Sequence, residues 1–167
     1  ENIIVRAANS IIAGRAKGQL VFKSVNHIPL ARGLGSSAAA AAAGFFAAHE
    51  LFKPSPLTRH DLFLDTASLD GHPDNAAATI YGGLSTCIKD QETIAVYSLK
   101  THPDLRVVAC IPDFELSTEK SRGVLPATIL REQAVENISR VALLTTALQN
   151  GLWTTLPEAT RDALHQP

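Results

Sequence analysis

The chain has 167 residues, 46% of them hydrophobic and 19% charged, with a formal net charge of −1. This is enough for one domain of ordinary size or parts of two, with the apolar material for a packed core. The near-neutral balance gives no electrostatic reason to expect nucleic acid or a membrane as partner, and no apolar run approaches the roughly 20 residues of a membrane span.

Ile3 to Ala13 is apolar-rich and reads as a helix stopped near Gly14 and Gly18. Leu20 to Val25 reads as a strand that ends in the polar segment Asn26-His-Ile-Pro29. A loop follows, Pro29-Leu-Ala-Arg-Gly-Leu-Gly35, and then Ser36 and Ser37, either of which can cap a helix opening with six alanines and running to about Phe52. Pro54 and Pro56 break the chain, and Thr58-Arg-His-Asp61 has the form of a capping box with Asp in place of Glu. The helix it opens ends at Gly71 and Pro73, and Asp74 is placed to cap a short helix over Ala76–Tyr81.

After Gly82-Gly83 two strands are expected, near Leu84–Ile88 and Thr93–Leu99. Thr101-His-Pro-Asp104 reads as a boundary, Leu105–Ile111 as a buried strand, and Pro112 as the start of a polar loop holding Ser117, Thr118 and Arg122. A long helix from Gln133 to about Asn150 closes at Gly151, and a last one follows Thr155. Helices and strands mix without a regular βαβ alternation, so the fold class is α+β. Cys87 and Cys110 lie in apolar, strand-like surroundings and read as buried thiols of a reducing compartment. No signal peptide is visible at Glu1-Asn-Ile-Ile-Val-Arg6. A start at Glu1, the lack of methionine and an end inside an expected helix suggest an internal piece of a longer protein.

The glycine loop carries the chemical argument. Glycine allows positive φ and lets N–H groups approach a ligand with no Cβ in the way. At a helix start such groups face outward at the positive end of the dipole, which makes an anion site. Gly33, Gly35, Ser36 and Ser37 supply the bare backbone, two hydroxyls and the helix start. A Walker loop would need lysine after its last glycine, and none is present. Gly33-x-Gly35-x-x-Ala38 matches a dinucleotide fingerprint, yet Pro29 and the residues around it separate the strand from Gly33, and the acidic residue about 20 positions on is missing. A glycine turn feeding a close-packed alanine helix remains the plain structural alternative.

Pro29-x-x-x-Gly33-Leu-Gly-Ser-Ser-Ala-Ala39 resembles the phosphate-binding motif of the GHMP kinases. Leu69-Asp-Gly-His-Pro-Asp-Asn75 with Gly82-Gly83, Ser117-Thr-Glu-Lys-Ser-Arg122-Gly-Val-Leu-Pro126 and Leu164-His-Gln-Pro167 are similar to segments of the homoserine kinase branch. The likeness runs through nearly the whole chain. It implies a ribosomal protein S5 domain 2-like, ATP-binding N-terminal domain over 1–100 and the start of a ferredoxin-like C-terminal domain over 101–167. It also implies transfer of the ATP γ-phosphoryl group to the side-chain hydroxyl of L-homoserine with Mg²⁺, in the cytoplasm, on the route to threonine. A homodimer is a further implication.

Position by position, the resemblance assigns Arg32, Gly33, Leu34, Gly35, Ser36 and Ser37 to the triphosphate and Asn2 to the adenine. It gives Mg²⁺ to Ser37 and Asp70, with Asp65 as fallback. An acid in the last turn of a helix meets the negative dipole end and is easier to understand with a cation against it. His72 and Asp74 would line the homoserine pocket, Asn75 would hold the attacking hydroxyl, Arg122 would pair with the amino acid's carboxylate, and Thr118 would orient the nucleophile. Asp74 as proton acceptor and direct loss of the proton to a phosphate oxygen both remain open. Asp70 stands where many members carry Glu, and the family's N- and C-terminal motifs are not in the sequence. His27, His49, His60, His102 and His165 have no constellation around them and read as solvated or structural.

Overall fold

Two helices can come close only where their facing side chains are small, and the first half of the chain is built on that property. The computed structural model describes residues 2–12, 14–15, 17, 19–52, 55–91, 93–114, 123 and 125–166, with Asp70 described by its backbone alone. It divides into two compact units, Glu1–Ser98 and Leu99–Pro167.

In the first unit, α1 (Ile3–Ile12) is capped by Asn2, whose Oδ1 accepts the Ile4 N–H at 2.9 Å. Its buried stripe, Ala7, Ala8, Ile11 and Ile12, packs on α2 (Ser36–Phe52) through Ala41, Phe45 and Ala48. Gly44 lies in this interface. A Cβ there would collide with the Ile4 carbonyl oxygen and come within 2.9 Å of the Ala7 Cβ. The alanine run is therefore a close-approach surface.

The helix α3 (Arg59–Asp70) opens on the expected capping box: the Asp61 N–H donates to Thr58 Oγ1 at 3.0 Å, and the Thr58 N–H donates to Asp61 Oδ2 at 3.2 Å. The bond from the Thr58 hydroxyl, with that from its N–H, holds the Asp61 carboxyl below its ordinary value. Gly71, at φ 75°, ends the helix in the left-handed conformation. A second core gathers Phe63 and Ala67 of α3 with Ala76 and Ala77 of α4 (Pro73–Tyr81). Against it rest Cys87 of β1 (Leu84–Lys89) and Ile94 and Val96 of β2 (Ile94–Leu99). The two strands form a two-stranded sheet, closed by Asp90 N–H to Thr93 O at 3.0 Å and by Thr93 N–H to Asp90 Oδ1 at 2.7 Å. The observed elements are mixed α and β, in line with the α+β reading.

Two expected strands did not form. Leu20–Val25 has no regular structure, and Val21 and Val25 are 87% and 75% exposed. Leu105–Ile111 likewise pairs with no strand among the described residues, and Val107 and Val108 are each 85% exposed. Both carry β-branched residues, yet a strand needs a neighbour to accept its hydrogen bonds. Cys110, in the second of these segments, is exposed rather than buried, and Cys87 is half-buried.

In the second unit, α5 (Arg131–Asn150) begins two residues earlier than expected, with the Leu130 N–H donating to Gln133 Oε1 at 3.0 Å. It ends at Gly151, φ 71°, and is followed by a 3₁₀ turn (Trp153–Thr155) and α6 (Leu156–Ala159). The His102 ring meets Trp153 edge-on at 5.5 Å and covers Gly151, where a Cβ would lie 3.0 Å from it. At the far end, Asn137 of α5 donates to Asp162 Oδ1 at 2.7 Å and accepts the Ala163 N–H at 3.0 Å.

Candidate active site

The loop before α2 has positive φ at alternate positions: Ala31 at 53°, Gly33 at 71° and Gly35 at 73°. Such alternation is the pattern from which anion-binding backbone concavities are made. Arg32 folds back so that its Nη1 donates to the carbonyls of Leu30 at 3.2 Å and Ala31 at 3.4 Å, which stiffens the turn. The Gly35 carbonyl accepts the first helical bond, from Ala39 N at 3.0 Å, so Gly35 occupies the cap position. Ser36 and Ser37 are the first two helical residues, one step later than the capping role expected for them. Leu34 lies exposed between the two glycines.

The His72–Asn75 turn opens α4. His72, not Asp74, is the cap residue; it makes no side-chain cap bond, and Pro73 takes the first helical position, where its missing N–H costs nothing. Asp74 belongs to the first turn, its Oδ1 accepting the Asn75 N–H at 2.9 Å. The helix thus starts at residue 73 rather than 76. From β1, the Cys87 thiol donates to the Pro73 carbonyl at 3.4 Å. Burial, and next the Asp74 charge, push the Cys87 thiol above its ordinary value, which keeps the proton it donates.

Loop and turn are carried by packed elements: α2, α3 and α4 all contact one another. The Thr79 hydroxyl of α4 lies 3.8 Å from the point where a Cβ on Gly35 would sit. Sequence reading missed both Thr79 and Cys87. Thr79 follows Asn75 by four residues and so shares its helix face, a signal that was available; nothing local marks Cys87.

Of the remaining candidates, Asp70 ends α3 just before the turn. Asp65 is spoken for, because its Oδ2 accepts from Nε2 of buried His49 at 2.8 Å. His49 is therefore structural, as expected. Thr118 and Arg122 lie outside the described residues. Asn2 uses its Oδ1 as a helix cap, and farther along α1 a cavity of about 590 Å³ is lined by Val5, Asn9 and Ile12 together with Gln19, Leu20, Val21 and Phe22. Among the described residues no group of three or more His, Cys, Asp or Glu could hold a metal ion. No helix there is long and apolar enough to cross a membrane.

Residues 2–83, which include loop, turn and the packing that joins them, match the family described as GHMP kinases N terminal domain. Residues 2–83 belong to the GHMP kinase family as its N-terminal domain. Homoserine kinases from Moorella thermoacetica and Petrotoga mobilis are 43% and 41% identical to this GHMP chain, over 100% and 86% of its length. Those alignments take in 57% and 46% of the relatives, so the chain spans about half the length of the curated relatives it matches. A crystal structure of homoserine kinase from Cytophaga hutchinsonii is similar with a TM-score of 0.70 at 25% identity, covering 85% of this chain and 46% of that one. A structure from Listeria monocytogenes shares the fold, with a TM-score of 0.67 at 24% identity over 96% of this chain and 54% of its own.

Proposed function

We propose that this GHMP chain belongs to a homoserine kinase, which transfers the γ-phosphoryl group of ATP to the side-chain hydroxyl of L-homoserine in threonine biosynthesis. The observation that carries the reading is the pairing of a left-handed glycine loop at the start of α2 with the His72–Asn75 turn at the start of α4, on helices that pack together. Identity of about two residues in five to named homoserine kinases supports the choice of alcohol.

Phosphoryl transfer passes through a loose transition state, so positioning and charge neutralisation provide most of the acceleration. Backbone amides from Gly33 to Ser37 hold the phosphate oxygens, with Arg32 bracing the loop. The cavity beside α1, with apolar walls and the amides of Asn9 and Gln19, suits the purine base. His72 and Asp74 line the homoserine pocket, Asn75 orients the hydroxyl, Arg122 pairs with the substrate's carboxylate and Thr118 orients the nucleophile.

Ser37 and Asp70 would hold Mg²⁺ through a hydroxyl and a carboxylate oxygen, the hard donors that suit it. Bound there, the ion neutralises charge on the phosphate chain. The acceptor proton goes either to Asp74 or directly to phosphate oxygen. The same reading puts the enzyme in the cytoplasm, as a homodimer.

ADP formation measured over a panel of alcohols tests the assignment. L-Homoserine should exceed galactose by about tenfold or more, since a site built to pair with a carboxylate and a hydroxyl penalises an alcohol without the carboxylate. Equal stimulation by another alcohol would move the chain to a different branch.

A further inference from the structure

A threonine inside a helix usually spends its hydroxyl on the carbonyl four residues back. Thr66 does so with Leu62 at 2.7 Å, Thr145 with Val141 at 3.0 Å, Thr146 with Ala142 at 2.8 Å and Thr160, at a helix end, with Leu156 at 2.8 Å. Thr79 departs from this habit. It lies in the last turns of α4, it is exposed, and among the described residues its hydroxyl bonds neither to the Asn75 carbonyl nor to any other group. Its Oγ1 faces instead the space left by the missing side chain of Gly35, 3.8 Å from where a Cβ would stand. An unspent donor thus borders the space that Gly35 keeps clear, and an oxygen that entered it would meet backbone on one side and a hydroxyl on the other.

We propose that Thr79 is a further nucleotide-contacting residue, its hydroxyl donating to an oxygen of the phosphate chain held at Gly33–Ser37. The inference rests on the ATP-binding part of the reading above, and it deepens that site by adding a contact from α4. It also explains the juxtaposition of the two helices: α4 presents the acceptor turn at its start and a phosphate donor about two turns later, so nucleotide and acceptor are registered by one rigid element. A bond from a neutral hydroxyl to a charged phosphate oxygen belongs to the stronger class of hydrogen bond.

Calorimetric titration of ATP and of adenosine into the parent protein, Thr79→Val and Thr79→Ser tests this. Valine keeps the branched shape and removes the donor, whereas serine keeps the donor. The expected result is ATP affinity lowered about tenfold or more in Thr79→Val, with near-parental affinity in Thr79→Ser and adenosine binding unchanged in both. Unchanged ATP affinity in Thr79→Val, or an equal loss for ATP and adenosine, would overturn the inference. Lowered ATP affinity in Thr79→Val, with a parent that binds ATP yet does not phosphorylate homoserine, would remove the substrate assignment and leave Thr79 in place. A parent that binds no ATP would remove both.

Discussion

At the scale of single residues, Gly44 and Ala31 carry opposite lessons. Gly44 looks like a weak point in an alanine helix, because glycine costs helix stability. Its hydrogen faces the Ile4 carbonyl, a backbone atom that cannot swing aside. Gly44→Ala should therefore destabilise the first unit by about 1–3 kcal/mol, as overpacking does, against the gain expected from propensity; a raised melting temperature would contradict the packing. Ala31 is the reverse case, an L-residue at φ 53°. Left-handed backbone costs a non-glycine residue roughly 1 kcal/mol, so Ala31→Gly should stabilise the fold by up to about 1 kcal/mol in denaturant unfolding, less the entropy glycine adds to the unfolded chain. Thr58 and Asp61 were legible in the sequence because a capping box is a local pattern of hydrogen-bonding groups. The His49–Asp65 pair was not, since the residues are 16 apart and meet only after α2 and α3 pack.

At the scale of elements, helices were legible where caps and periodicity agreed, and strands only where a neighbour was close in sequence. Leu84–Lys89 and Ile94–Leu99 find each other through a four-residue connection, whereas Leu20–Val25 and Leu105–Ile111 have strand composition and no partner among the described residues. The start of α4 was misjudged because Asp74 looked like a cap, while Pro73, fixed in φ, already opens the helix. Cys87 pins that opening to β1. Because its thiol is half-buried and held above its ordinary value, iodoacetamide should modify Cys110 well before Cys87, as read by peptide mass spectrometry; faster labelling of Cys87 would contradict the contact with Pro73. In the second unit, the turn after α6 is organised by Asp162. The Leu164 N–H, then those of His165 and the Asn137 amide, hold its carboxyl well below the usual range. Its folded value is depressed, so its contribution is present above the unfolded value, about 3.9, and is lost as pH falls through the lower folded one. A carboxyl titration followed by NMR should place the Asp162 midpoint below about 3.9, and a midpoint at or above that value would contradict the turn.

At the scale of the molecule, the two spans that matter most were legible as motifs before any geometry, since both demand special backbone: glycines for the loop and Pro73 for the turn. What the sequence could not express is how the helices that carry them come together, which depends on Ala and Phe side chains of α2, α3 and α4 in two small cores. In the proposed enzyme the amides of residues 33–37 hold the nucleotide's phosphates within reach of the turn at 72–75. The direct measurement is an amide NMR titration with Mg-ATP. The largest shifts are expected at Gly33, Gly35, Ser36 and Ser37, with His72, Asp74 and Asn75 shifting along the same binding curve. Shifts confined to other residues, or a loop that responds while the turn does not, would contradict it.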